Sequence, residues 1–228
     1  MTTAEKLQKI AENEQRVFDA GKQAEYDAFW DMYQINGTRT GYDCAFAGAG
    51  WTNTLFKPKY NMRPENGYMT FRNSGITGDL VEMLDNLGVV LDFSNLKESS
   101  QYMFGMCSIT HLGVIDLSSI GATRTNANYF FYGATKLHTI DKLILPTKQL
   151  TLGYAFNGCT ALANLTIEGT IQYDIDFKSC PLTHDSLMSI INALGDGLSY
   201  TLTIGATNLA KLTQDEIDIA EAKGWTVK

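Results

Sequence analysis

From Thr3 to about Tyr33, apolar residues recur at steps of three and four: Leu7, Ile10, Val17, Phe18, Ala24 and Ala28. That period marks one face of a helix, so the stretch predicts a single long helix with Thr2 or Thr3 as its cap. At 1.5 Å per residue it would reach roughly 45 Å. Ile10, Val17 and Ala24 also fall seven apart, the spacing of a coiled-coil seam, although Asn13 and Glu14 interrupt the partner positions. Two arrangements fit this pattern: an amphipathic helix folded back on the body, or one strand of an intersubunit bundle. The polar exit INGTRTG, residues 35–41, has the composition of a hinge and favours the bundle. Leu7, Ile10, Val17 and Ala24 are therefore the candidate oligomerisation face.

The pattern changes after residue 41. Residues 42–75 carry Tyr42, Phe46, Trp51, Phe56, Tyr60, Tyr68 and Phe71, broken by Pro58, Pro64 and several glycines. This predicts irregular structure sealing the first end of the downstream segments. Exposed rings there could stack on sugars, but packing is the commoner use of aromatic residues. DLVEMLDNL, residues 79–87, reads as a short helix closed by Gly88. VVLDF reads as a strand. LDFSNL at 91–96 then matches IDLSSI at 115–120 position for position, and LHTIDKLIL and LANLTI occupy the same place downstream.

A second regularity runs through these segments. Phe46, Phe71, Phe104, Phe131, Phe156 and Phe177 are spaced by 21 to 33 residues, and each is followed three positions later by a small residue. The small residues are Ala49, Ser74, Cys107, Ala134, Cys159 and Cys180; a tyrosine stands two positions before Phe104, Phe131 and Phe156. A period of 20 to 30 residues with leucine-rich strands is the mark of a leucine-rich solenoid. One such unit cannot bury its own apolar side, so units must stack and share a core. Phe71, Phe104, Phe131, Phe156 and Phe177 would then form one ladder, and Cys107, Cys159 and Cys180 would lie on another where little else fits.

The repeat ends near residue 182. Thr183 to Leu194 reads as a helix with Leu187, Ile190, Ile191 and Leu194 on one face. YTLTIG alternates as a strand, Thr213-x-x-Glu216 is a capping box, and Trp225, Thr226 and Val227 read as a short edge strand. Together they would cover the open end of a stack, which otherwise offers unpaired backbone groups.

Composition narrows the class. The 228 residues are 44% hydrophobic and 19% charged, as in a folded domain. A net charge of −7 disfavours nucleic acid and anionic membranes as partners. No apolar run approaches the roughly 20 residues needed to insert across a bilayer. The polar start, MTTAEKLQKIAENEQ, predicts no export by the general secretory route and hence reduced cysteines.

Candidate chemistry is sparse. His111, His138 and His184 fall in different units, and His111 and His138 are expected in solvated turns. The cysteines form no C-x-x-C pair, so packing is expected in place of metal binding. GAGWTN at 48–53 lacks the strand and third glycine of a nucleotide loop. Asp79, Glu82 and Asp85 line one face of a short helix and read as a solvated face; a carboxylate pair for glycan hydrolysis lacks a partner across a cleft. No catalytic, cofactor-binding or metal residue is predicted.

YMFGMCSITHLGVIDLSSI and YAFNGCTALANLTI resemble the BspA-like class of bacterial leucine-rich repeats. The ending TLTIGATNLAKLTQDEIDIAEAKGWTV resembles the terminal segment of such proteins in bacteriophages and prophages, and EKLQKIAENEQRVFDAG resembles the N-terminal helix of phage structural proteins. The likeness covers the chain from about residue 68 onward and the first helix, while residues 42–67 depart from it. It implies an α+β chain: an N-terminal helix over 1–34, a hinge at 35–41, a cap over 42–75, a leucine-rich-repeat solenoid of short parallel strands over 76–182, and an α/β cap over 183–228. It further implies a non-enzymatic virion protein assembled in the bacterial cytosol, such as a tail fibre, baseplate part or head fibre. Its partners would be other virion proteins, copies of itself, with a trimer the first guess, and a host-surface glycan or protein. The alternative is a bacterial surface adhesin or interaction module built on the same repeats.

Overall fold

A computed structural model describes residues 21, 24, 44–58, 61–97, 99–120, 127–147, 152–197 and 199–228. The chain divides into two units, Met1–Arg39 and Thr40–Lys228. In the first, Gly21 and Ala24 are helical and exposed. The rest of the expected helix, with Leu7, Ile10 and Val17, lies outside the described residues, as does the hinge at 35–41.

The second unit is built on parallel pairing. Strands β1 (Thr77–Asp79), β2 (Ser108–Asp116), β3 (Thr139–Ile144) and β4 (Asn164–Glu168) form one sheet in sequence order. Strands β5 (Ile175–Asp176), β6 (Thr201–Thr203) and β7 (Thr226–Val227) form a second, also parallel. Helix α1 (Leu80–Leu87) follows β1 directly; α2 (His184–Ala193), α3 (Gly205–Leu209) and α4 (Gln214–Ala222) belong to the C-terminal part. Asp79, His111, Thr139 and Asn164 stand in register across the four strands. Isolated parallel bridges, Thr52 to Gly75, Met62 to Leu91 and Ile171 to Leu194, continue the same pairing outside the named strands.

One turn recurs along this unit. Its first and fifth residues have positive φ and its third is a buried phenylalanine: Cys44 to Gly48 around Phe46, Met69 to Asn73 around Phe71, Tyr102 to Met106 around Phe104, Tyr129 to Gly133 around Phe131, and Tyr154 to Gly158 around Phe156. A left-handed conformation costs a residue with a Cβ about 1–2 kcal/mol. The return is hydrogen bonding between turns. The amides of Phe46, Phe71, Phe104 and Phe131 donate to the carbonyls of Thr70, Met103, Phe130 and Ala155 at 2.8, 2.7, 2.8 and 3.1 Å. The left-handed residues Met69, Asn73, Met106, Tyr129 and Gly133 donate one turn onward in the same way. These donors find their acceptors in the neighbouring turn, so each turn is completed by the next.

The phenylalanine rings stand in one column. Successive centroids from Phe46 through Phe71, Phe104, Phe131 and Phe156 to Phe177 are 5.2, 5.0, 6.1, 5.4 and 4.5 Å apart. Cys107, Cys159 and Cys180 are buried beside it and all are free thiols. They do more than fill a small space. The Cys159 thiol donates to the Phe131 carbonyl at 3.1 Å, and the Cys180 thiol to that of Phe156 at 3.5 Å. Burial pushes the Cys107 thiol up to about 12, so it stays neutral.

Two expectations change. Residues 44–48 and 69–73 fall in a stretch expected to be irregular but adopt the same turn as the later units. The turn is specified by two left-handed positions around a phenylalanine, a demand that no hydrophobic period reveals. VVLDF is not a strand: only Leu91 bridges, to Met62. Gly88, at φ 66°, ends α1 in the left-handed cap, and the Val90 amide bonds to the Asn61 side chain at 2.9 Å. That bond takes the donor a ladder would have used.

The tightest backbone approach lies at Gly75. A Cβ there would sit 2.6 and 2.7 Å from the carbonyl oxygens of Ala49 and Trp51. Gly75→Ala is expected to destabilise the unit by about 1–3 kcal/mol, read as a lower denaturant midpoint with an unchanged slope.

Candidate functional site

Two surfaces of the second unit carry side chains that the core does not use. The first is the outward face of the four-stranded sheet. His111 lies on β2 between its two neighbours. Its Nδ1 is 2.8 Å from Asp79 Oδ2 on β1, and its Nε2 is 2.9 Å from Asp141 Oδ1 on β3. Asp79 has a further task, since its Oδ1 caps α1 by accepting the Glu82 amide at 3.0 Å. One imidazole thus ties β1, α1, β2 and β3 together.

With a carboxylate at each ring nitrogen, both nitrogens are best used as donors, which requires the protonated ring. Partial burial favours the neutral ring, but the hydrogen bonds and charges of Asp79 and Asp141 outweigh it and hold the His111 pKa above its ordinary value. Burial likewise works against the Asp79 carboxylate, and the Glu82 amide and His111 overcome it, holding its pKa below the usual range. This corrects the expectation that His111 is a solvated turn residue and that Asp79 belongs to a plain solvated helix face. Neither ring nitrogen is left over for proton transfer to a substrate. The imidazole also bridges the two carboxylates, so they do not face each other across an open space as a glycosidase pair must.

The clamp makes a testable pH dependence. His111 is protonated more readily when folded, so its contribution is full below its ordinary pKa of 6.5 and is lost as pH rises through the raised folded value. Asp79 contributes above its ordinary 3.8 and loses that contribution as pH falls through the lowered folded value. Stability of the unit should decline as pH rises from about 6.5 through the raised folded pKa of His111, and His111→Gln should flatten that decline. Denaturant midpoints measured at both ends of this interval check it.

Around the clamp, His138 Nδ1 meets Thr139 Oγ1 at 3.0 Å, and the exposed Lys142 pairs with Glu168 at 2.8 Å. A polar cleft of about 310 Å³ lies between β3, β4 and the start of α2, lined by Thr139, Asp141, Asn164, Thr166, Thr183 and Asp185 among others. An apolar groove of about 250 Å³ lies between α1 and β2, where Val90 and Val114 are 56% and 51% exposed. Gly113 permits this close approach of helix to strand, because a Cβ there would come within 3.2 Å of Val81 Cγ2.

The second surface lies at the turns. Tyr102, Tyr129 and Tyr154 each occupy the first left-handed position, at φ 54°, 61° and 57°. Their rings form a stack of their own, with centroids 4.7 and 5.3 Å apart and planes within 3° and 10° of parallel. Tyr132 meets Tyr102 and Tyr129 edge-on at 6.1 and 5.6 Å. The Arg72 guanidinium lies 5.2 Å from the Tyr102 centroid and closes that end of the row. Gly105 leaves the needed room, since a Cβ there would stand 3.0 Å from Tyr102 Cδ1.

Of the residues singled out from the sequence, Phe71, Phe104, Phe131, Phe156 and Phe177 come together in one column with Cys107, Cys159 and Cys180 beside it. Ala24 is helical and exposed, while Leu7, Ile10 and Val17 lie outside the described residues. The His111 clamp was missed. Its one signal was that Asp79 and Asp141 stand 32 and 30 residues from His111, about one repeat on either side. The tyrosine row was visible as a recurring Tyr-x-Phe, but its position outside the core was not.

Comparison with protein-family models, with curated proteins and with solved structures finds no match to this chain.

Proposed function

We propose that this chain is a non-enzymatic structural and binding module, a leucine-rich-repeat solenoid carried on an oligomerising N-terminal helix, of the kind phage virions use as a tail fibre, baseplate part or head fibre. The observation that carries this reading is the repeated turn, whose hydrogen-bond donors find their acceptors one turn further along. Units joined in this manner extend along one direction and present a regular surface. The imidazole nearest to a chemical role is held by two carboxylates, and the cysteine thiols at 107, 159 and 180 are buried in the column. In this reading the described residues serve as a surface presented to a host glycan or protein. In this reading Leu7, Ile10, Val17 and Ala24 hold copies of the helix together, as a trimer, within an assembly of other virion proteins.

Solution mass tests the anchoring half. The full chain is expected to be a homo-oligomer and a chain beginning at Thr40 a monomer; two monomers would remove that half. Mass spectrometry of purified particles tests the placement. A stoichiometric amount of this chain is expected, and its absence would remove the virion assignment.

A further inference from the structure

We infer that the stacked row Tyr102, Tyr129 and Tyr154, with Tyr132 and Arg72 beside it, is a binding rail for an extended neutral polysaccharide. This deepens the surface-binding reading above and rests on it.

The fold does not account for these tyrosines. The same turn position is filled by Cys44 and Met69 in the first two turns, so the backbone does not require an aromatic residue there. Bulky residues are poor choices for a left-handed position, yet three successive turns carry tyrosine. Their rings are outside the phenylalanine column, and Tyr154 is 61% exposed. Mutual stacking accounts for the faces of Tyr129 and for one face of Tyr154. It does not account for the outer face of Tyr154. The hydroxyls of Tyr102, Tyr129, Tyr132 and Tyr154 are not among the buried atoms and make no hydrogen bond among the described residues.

The rail therefore offers phenolic hydroxyls on rings stacked 4.7 and 5.3 Å apart, with the most exposed ring, Tyr154, at one end and the Arg72 guanidinium against Tyr102 at the other. Flat, equatorially linked hexoses suit this arrangement. Each sugar advances by a distance comparable to one rung, and its hydroxyls can donate to and accept from the phenols along the row. A peptide strand advances about 3.3 Å per residue and falls out of step with the rungs. Nucleic acid has stackable bases, but its phosphates meet a chain of net charge −7.

Calorimetric titration of the full chain with chitohexaose, cellohexaose and maltohexaose tests the inference. Saturable binding of at least one of the two extended hexasaccharides is expected, with the coiled maltohexaose at least tenfold weaker. Tyr154→Ala removes the most exposed ring of the row with its hydroxyl and should weaken binding at least tenfold. Tyr129→Phe keeps the stack, removes one hydroxyl, and should weaken binding severalfold with an unchanged thermal midpoint. Failure of both extended sugars to bind below millimolar concentration, equal binding of maltohexaose, or binding indifferent to both substitutions would overturn the rail. Particles that contain the chain while the rail binds no sugar would overturn this inference alone. Sugar binding by a chain absent from particles would overturn only the virion placement.

Discussion

Replacing Phe131 by alanine is expected to lower the stability of the Thr40–Lys228 unit by about 3–5 kcal/mol. Phe131 is fully buried at the middle of the column, with Phe104, Phe130 and Phe156 at 6.1, 4.6 and 5.4 Å. Truncation removes a ring that has aromatic neighbours on both sides. The void cannot be closed by a local shift, because the next turn is bound to this one: the Phe131 amide donates to Ala155, and its carbonyl accepts the Cys159 thiol. A loss of this size is a large part of the roughly 5–15 kcal/mol that domains commonly possess. Denaturant unfolding should show a lower midpoint with the slope preserved. Tyr154→Ala is the internal comparison, since Tyr154 lies at the exposed end of the other row and its loss should stay within about 0.5 kcal/mol. Equal losses at the two positions would mean that the phenylalanine column is not the core of the unit.

Trp225→Ala is expected to cost a comparable amount, about 3–5 kcal/mol, and to change the behaviour of the C-terminal end as well. The indole is 2% exposed, packs 5.5 Å from Tyr200, and donates Nε1–H to the Gly195 carbonyl at 2.8 Å. It stands directly before β7, which pairs with β6 through the Thr226 amide and the Tyr200 carbonyl at 2.9 Å. Without the ring, the two-residue β7 has little to hold it, and the edge of β6 becomes available to another chain. Reduced stability should therefore come with concentration-dependent association, visible by light scattering. Trp225→Phe separates the two contributions. It restores most of the packing but leaves the Gly195 carbonyl without its donor, a loss of about 1 kcal/mol.

Both substitutions strike positions whose importance can be read from residue order alone, and this marks the reach of such reading. Phe131 belongs to a spacing that recurs from Phe46 to Phe177, and the small residue three positions later recurs with it. The Thr213 and Glu216 capping box was legible for the same reason: its Thr213 amide bond to Glu216 Oε2, 2.8 Å long, spans three residues. So was the left-handed Gly88 that ends α1. Reading stopped where a side chain's partner stands a full repeat away, and where two uses of one residue type look alike in a string of letters. The phenylalanines and tyrosines of Tyr-x-Phe are two positions apart, yet Phe156 is 1% exposed and Tyr154 is 61% exposed. The left-handed turn between them turns one ring inward and the other outward.

The order of residues by itself determined the period, the large and small plugs, the caps and the closing C-terminal helix, because the caps and the helix depend on near neighbours and the plugs recur at a spacing the residue order displays directly. Only the tertiary structure decided that His111 is clamped by Asp79 and Asp141, that the Cys159 and Cys180 thiols bond to carbonyls of the preceding turn, and that a row of tyrosines lies outside the core. These depend on which rung meets which, and parallel strands paired in register bring side chains some 30 residues apart within hydrogen-bond distance.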